Sequence, residues 1–308
     1  MTAAVRHPAR LWTGAALVGT IALIVSLATG DRQGDAKDRR PPPSAGSAPR
    51  VTPPPVNGRF DYQLGGPYPP AKSVRIVARD RTVAAVPGKY NICYLNALQS
   101  QPDGEDESRT DPGYGTTQWW QNNHPELLVR DREGRSVKDT DWDEGVFDIS
   151  TAAKRRRLLA IEKKWVDGCR KSGFQAIEPD NLDSYSRSRG AFGVAADKAF
   201  MKRFVAYAHS RGLAVAQKNS QTEFGTTGRR EIGFDFAIAE ECAVYDECEG
   251  YADAYGAHVI EIEYSDQDRS AFTESCAERG DTVSVIRRDR DVVPRGDAGY
   301  HDEQCPRD

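Results

Sequence analysis

From Phe60 onward the chain repeats one pattern, in which short β-rich runs alternate with longer segments of mixed polarity. The runs are Phe60 to Leu64, Val74 to Ala78, Tyr90 to Asn96, Gly145 to Ile149, Phe174 to Asp180, Leu213 to Asn219, Phe234 to Glu240, Val259 to Tyr264 and Thr282 to Ile286. Between several of them lie helices with clear signals. Ser150 can cap the first, Leu158, Ile161, Trp165 and Cys169 form its apolar stripe, and Gly173 ends it. The next places Phe200, Phe204 and Ala208 on one side and stops at Gly212. Strand, helix, strand in repetition predicts a parallel sheet in an α/β fold. Nine candidates for eight strands mean that one is extra, and the run at Gly145 to Ile149 is the one to set aside.

The two ends limit how much chain is left to fold. Residues 1–30 hold three basic side chains and then the uncharged apolar run Leu11 to Gly30, which reads as a signal peptide or a membrane anchor. Either one implies export. Residues 31–57 mix charges with Pro41, Pro42, Pro43, Pro53, Pro54 and Pro55, the composition of an extended linker. Residues 58–308 then form the folded domain, and about 250 residues is the usual size of one (β/α)8 TIM barrel. The net charge of −4, with Arg and Lys scattered, offers no stripe for nucleic acid. Contact with a membrane is expected only through the N-terminal segment.

Six cysteines in an exported chain should be largely oxidised. Cys242 and Cys248, six residues apart, are the best pair. Cys93 and Cys169 fall in apolar patterns and could equally be buried thiols, and the remaining connectivity is not legible. No zinc-type spacing occurs, the five histidines are scattered, and serine-elbow, HExxH, P-loop and dinucleotide motifs are missing, so neither metal nor cofactor is implied.

Parity along the strands gathers acidic and polar residues at the carboxyl ends, where a barrel keeps its active site. Glu178 shares a face with Asp180, Asp61 with Gln63, Tyr94 with Asn96, and Glu261 with Glu263, while Glu240 ends its own strand. Glycosidic cleavage needs one carboxylic acid to protonate the leaving oxygen and a second carboxylate across the ring. Glu178, Asp180 and Asp183 come from one strand end, Glu240 and Glu241 from another, and crowding such charges raises the pKa of one member. Lys218 and Asn219 lie on the strand between and can hold a carboxylate ionised. Tyr94, Tyr185 and Tyr264 are candidate sugar contacts, and Trp119, Trp120 and His124 could line a subsite or fill the core under the insertion from Gln99 to Asp143. Carboxylate walls suit a polymer with free amines.

The run from Gly173 to Tyr185, with Asp61-Tyr62-Gln63-Leu64-Gly65-Gly66, Cys93-Tyr94, Asp148-Ile149, Lys218-Asn219, Ala239-Glu240-Glu241-Cys242 and Glu263-Tyr264, resembles glycoside hydrolase family 114, the endo-α-1,4-polygalactosaminidase-like proteins. The resemblance spans Phe60 to about Arg290 in order. It implies a (β/α)8 barrel, endo-acting hydrolysis of α-1,4-linked galactosamine polymer, an aspartate at Asp180 and a glutamate at Glu240. Around that pair, Asp61, Gln63, Tyr94, Asp148, Glu178, Asn181, Asp183, Tyr185, Lys218, Asn219, Glu263 and Tyr264 are the expected substrate contacts. Two features depart from the family: Ala239 and Glu241 stand where Asn and Gln are common, and the insertion after Asn96 is long. The rival expectations are a glycosidase for another wall or capsule glycan and a barrel that binds carbohydrate without cutting it.

Overall fold

A computed structural model describes residues 49–103 and 115–306; the leader and most of the linker lie outside the described residues. Three strands come first, β1 (Phe60–Gln63), β2 (Ile76–Asp80) and β3 (Tyr90–Asn96), joined by loops without helices. The insertion follows, with helix α1 (Thr117–Asn123), a 3-10 turn at Pro125–Leu127 and a hairpin of β4 (Lys138–Asp139) and β5 (Glu144–Gly145). Alternation is regular from there: α2 (Ala152–Lys171), β6 (Ala176–Asp180), α3 (Val194–Ser210), β7 (Ala214–Lys218), α4 (Gln221–Thr227) with a π-helical turn at Gly228–Ile232, and β8 (Phe236–Glu240). The last part holds α5 (Cys248–Tyr255), β9 (Val259–Tyr264), α6 (Arg269–Arg279), β10 (Ser284–Arg288) and β11 (Asp302–Gln304).

The main sheet runs β1-β2-β3-β6-β7-β8-β9-β10-β11, parallel throughout except for the antiparallel β11. It curls into a nearly closed barrel. Across the seam Arg288 Nε donates to Tyr62 O at 3.2 Å, and Gln304 Nε2 donates to Phe60 O at 2.8 Å. Gly65 continues from β1 along this seam, where a Cβ would sit 2.6 Å from Val292 O, so no larger residue fits. The extra strand expected near Gly145 is the two-residue β5, part of the separate hairpin sheet. The first two crossovers carry no helix because Gly65, Gly66, Pro67, Pro69 and Pro70, then Pro87 and Gly88, interrupt any helical run.

Two apolar layers follow from strand alternation. One fills the lumen, with Phe60, Tyr62, Ile76, Ala78, Ile92, Ala176, Ala214, Ala216, Phe236, Ile238, Ile260, Ile262 and Ile286. The other lies between sheet and helices, where Leu158, Trp165 and Cys169 of α2 and Phe200, Phe204 and Ala208 of α3 meet Cys93, Ile177 and Val215. Thr151, rather than Ser150, caps α2 by accepting from Lys154 N, because Ser150 is already bonded to Asp148. Gly173, at φ 90°, turns the chain out of α2 as expected.

Residues 49–55, from the last part of the expected linker, lie over the amino-terminal end of the strands, and a turn at Val56 and Asn57 leads toward β1. Val51 packs on the lumen cluster, Thr52 O accepts from Tyr90 Oη at 2.6 Å, and Pro54 is buried. All six cysteines are paired, as Cys93–Cys169, Cys242–Cys248 and Cys276–Cys305. The first ties β3 to α2 and the last ties α6 to the segment after β11. Among the described residues no helix is long and apolar enough to cross a membrane.

The Cys276–Cys305 bond holds the seam strand β11 across a 29-residue separation. Replacing both cysteines by serine should cost about 3 kcal/mol. In a thermal melt that corresponds to a fall of roughly 6–12 °C for a domain of this size, and an unchanged Tm would show that β11 holds without the bond.

Candidate active site

Four strands deliver the central side chains from their lumen positions at the carboxyl end: Glu178 and Asp180 from β6, Lys218 from β7, Glu240 from β8 and Tyr264 from β9. Ala176, Ala214 and Ala216 below them leave room for the long lysine stem. Lys218 is only 2% exposed, and its Nζ lies 3.2 Å from Glu178 Oε1, 3.5 Å from Asp180 Oδ1 and 3.3 Å from Glu240 Oε2. Three phenols complete the arrangement. Tyr62 donates to Glu178 Oε1 at 2.7 Å, Tyr94 to Asp180 Oδ2 at 2.9 Å and Tyr264 to Glu240 Oε1 at 2.5 Å. Asn219 donates to Glu240 Oε2 at 2.7 Å and accepts from the Glu240 amide at 2.8 Å.

The three carboxylates differ in environment. Burial tends to raise the pKa of Asp180, but the Lys218 charge, the Asn181 amide and the Tyr94 hydroxyl together hold it below the usual range. Burial dominates at Glu178 and pushes it up to about 7 against the opposing pull of Lys218 and Tyr62. Glu178 is wholly buried, whereas the Asp180 and Glu240 side chains are 23% and 19% exposed and face the cavity. Lys218 is held protonated: burial disfavours its charge, and Asp180, Glu240 and Glu178 more than compensate.

Three of these strands, β6, β7 and β8, end in a left-handed turn. Asn181 follows Asp180 at φ 62°, Asn219 and Ser220 follow Lys218 at 50° and 59°, and Glu241 follows Glu240 at 56°. Asparagine adopts this region readily; a glutamate does so at a cost of roughly 1–2 kcal/mol. Glu241 is held there by its amide on Ile262 O at 2.8 Å and by Arg290, which donates to its carboxylate at 2.7 and 3.1 Å while lying over the Tyr264 ring. The Glu241 carboxylate is therefore paired.

The cavity above this floor measures about 630 Å³ and takes in Tyr94, Asp180, Asn181, Asp183, Lys218, Asn219, Glu240 and Tyr264 from the expected set. Glu178 lies beneath the floor. Tyr185 donates to Glu223, a cavity residue, at 2.8 Å. The other four fall elsewhere. Asp61 and Gln63 point out of the lumen, bonded to Tyr68 and Arg79; Glu263 points outward to the Ala243 amide; and Asp148 receives Ser150 and Lys154 at the start of α2. Parity paired these residues correctly within each strand, but both faces of this sheet are buried, so alternation does not tell lumen from helix side. On β1 and β9 the lumen phase belongs to Tyr62 and Tyr264.

Sequence reasoning passed over Tyr62, Glu144, Trp142, Arg187 and Arg290. Tyr62 was accessible from the phase of Phe60, whereas the others depend on where loops fold. Glu144, brought in by the insertion, accepts from Asn181 at 3.0 Å and is pushed up to about 8, chiefly by burial and then by Asp180. Trp120 is fully buried against Phe147 and Trp165, and Trp119 packs beside it, so this pair forms the insertion's core.

The sequence profile of glycoside-hydrolase family GH114 matches residues 40–307. The chain belongs to this family. It is a glycoside hydrolase. Among solved structures, Ega3 from Aspergillus fumigatus, determined in complex with galactosamine, is similar with a TM-score of 0.61 at 19% identity over 84% of this chain and 100% of that one. The glycoside hydrolase domain of PelA from Pseudomonas aeruginosa gives a TM-score of 0.51 at 15% identity over 79% and 98%. At these identities the likeness establishes the fold. No curated protein matches the chain.

Removing the Lys218 charge in this GH114 chain leaves three crowded carboxylates. Lys218→Met should lower stability at pH 8 by about 3–5 kcal/mol. Without the ammonium, burial should leave the folded-state pKa values of Glu178 and Asp180 above their unfolded values. Their contribution is then retained at low pH and lost as pH rises through the folded values. Thermal melts should show the deficit shrinking toward pH 5; an equal deficit at pH 5 and pH 8 would contradict the electrostatic account.

Proposed function

We propose that this GH114 chain is an exported (β/α)8-barrel endo-hydrolase of an α-1,4-linked galactosamine polymer, with Asp180 as nucleophile and Glu240 as general acid and base. The observation that carries the reading is the pair itself: two carboxylates at the floor of one cavity, facing each other across the Lys218 ammonium. Asp180 is the one held ionised, as a nucleophile requires. In the first step an Asp180 oxygen attacks the anomeric carbon while Glu240 gives its proton to the departing glycosidic oxygen. Glu240 then takes a proton from water, which attacks the same carbon and frees Asp180. Tyr264 and Asn219 keep the Glu240 carboxyl oriented through both steps.

The Lys218 distances of 3.5 and 3.3 Å bound the separation of the two acids. Laid end to end they reach no more than about 7 Å, and any bend at Nζ brings the oxygens closer, toward the roughly 5–5.5 Å of retaining enzymes. An amino-sugar substrate is supported by the acidic cavity wall, which includes Asp80, Asp139, Asp141, Asp183, Glu223, Glu247 and Asp291, and by the galactosamine bound to Ega3. Three disulfides support an oxidising, extracellular setting.

Asp180→Asn and Glu240→Gln should each lower turnover by at least about 10²-fold with the fold intact. Full activity in either variant would overturn the assignment. Reducing ends should appear from de-acetylated galactosamine polymer in preference to acetylated polymer or a neutral galactan, and release from none of them would favour a binding protein. Proton NMR of the earliest product should show the α-anomer; first appearance of the β-anomer would exclude the double displacement.

A further inference from the structure

Above the floor, the cavity has two rims built by different loops. Trp142 stands at the tip of the β4–β5 hairpin and is 54% exposed; Tyr245 stands on the loop stapled by Cys242–Cys248 and is 64% exposed. These are the two exposed aromatic side chains among the described residues, and both line the cavity. The phenols of the floor are placed differently: Tyr62 and Tyr264 are buried, and all three, with Tyr94, are bonded through their hydroxyls to the carboxylates. Each exposed ring also has a carboxylate close to it in the chain, Asp141 directly before Trp142 and Glu247 two residues after Tyr245. Both of these line the cavity, and neither has an ion-pair partner among the described residues. Two other acids of the cavity are held by ion pairs, Asp139 with Arg187 and Glu241 with Arg290.

Position relates the rims to the reaction. The Trp142 hairpin belongs to the loop after β3, next to the strand bearing Asp180, and the Tyr245 loop leaves β8 directly after Glu240. In the order of the strands the two rims thus flank the pair of acids. We infer that Trp142 with Asp141, and Tyr245 with Glu247, are two distal subsites that each take one amino-sugar unit of the same polymer. The ring carries the apolar face of the pyranose and the carboxylate carries its ammonium. This rests on the substrate class proposed above and adds the residues that make the site select long, cationic chains.

The test measures kcat and KM of the full chain and of Trp142→Ala, Tyr245→Ala and Asp141→Asn on galactosamine oligomers of increasing length, de-acetylated and acetylated. For the two aromatic variants KM should rise about tenfold on the longest oligomers and progressively less on shorter ones, while kcat moves little. Asp141→Asn should raise KM on de-acetylated oligomers alone. A KM ratio that is the same at every length, or no change, would overturn the subsites while leaving the proposed reaction standing. Calorimetric binding of the same oligomers to Glu240→Gln, with and without Trp142→Ala, reads the rim without turnover. Equal binding would also overturn it, and weaker binding of long oligomers would support it even if the wild-type chain released no sugar.

Discussion

The site is organised by one ammonium group held out of water. Lys218 is almost fully buried, and a lone charge there would cost several kcal/mol in lost hydration. Three carboxylates and a phenol within 3.5 Å offset that cost. The offset requires β6, β7 and β8 to keep their register, since a slip of one residue on any of them would turn its charge out of the lumen. The same contact that stabilises the centre therefore fixes the spacing of the two acids facing the cavity. Glu178 contributes from beneath without touching substrate space, and its burial pushes its carboxyl up to about 7 against the pull of Lys218 and Tyr62.

Rigid turns complete the positioning. A left-handed residue at each of three neighbouring strand ends brings the chain sharply away from the mouth, so the residue before it is presented rather than covered. Asparagine suits two of these places. The third is a glutamate whose backbone strain is opposed by a bidentate Arg290 contact, and that contact also packs a guanidinium over Tyr264. The charge that Glu241 brings to the mouth is thus absorbed by a neighbouring arginine.

Much of this was legible in the sequence because it depends on local chemistry. Strand runs bounded by Gly and Pro, the Leu158 to Cys169 stripe and the Gly173 stop concern residues close together in the chain, and the structure follows them within a few positions. Asp180, Lys218 and Glu240 could be gathered at one mouth because all three end their strands. What parity could not supply was the inward phase of each strand. A sheet sandwiched between lumen and helices buries both faces, so Asp61 and Glu263 looked as good as Tyr264, and Tyr62, in phase with Phe60, was passed over. Loop-borne groups were hidden for another reason: Trp142, Glu144 and Arg290 reach the cavity only through tertiary folding of segments with no periodic signal. Cys93 with Cys169 and Cys276 with Cys305 were equally out of reach, since pairing across 76 and 29 residues is decided by the fold.

The seam between β1 and β10 also bears on how the molecule acquires its shape. Arg288 bonds to Tyr62 across 226 positions and Gln304 to Phe60 across 244, so the contacts that bring the sheet full circle are among the most distant in the chain. Loop-closure entropy makes such contacts late and slow. Strands β2 to β9 can pair with their neighbours as they appear, but the ring is completed only once the residues beyond Cys276 are present to meet Phe60. Until then the outer edges of β1 and β9 stay unpaired, so the incomplete sheet carries two open edges of the kind that recruit other chains.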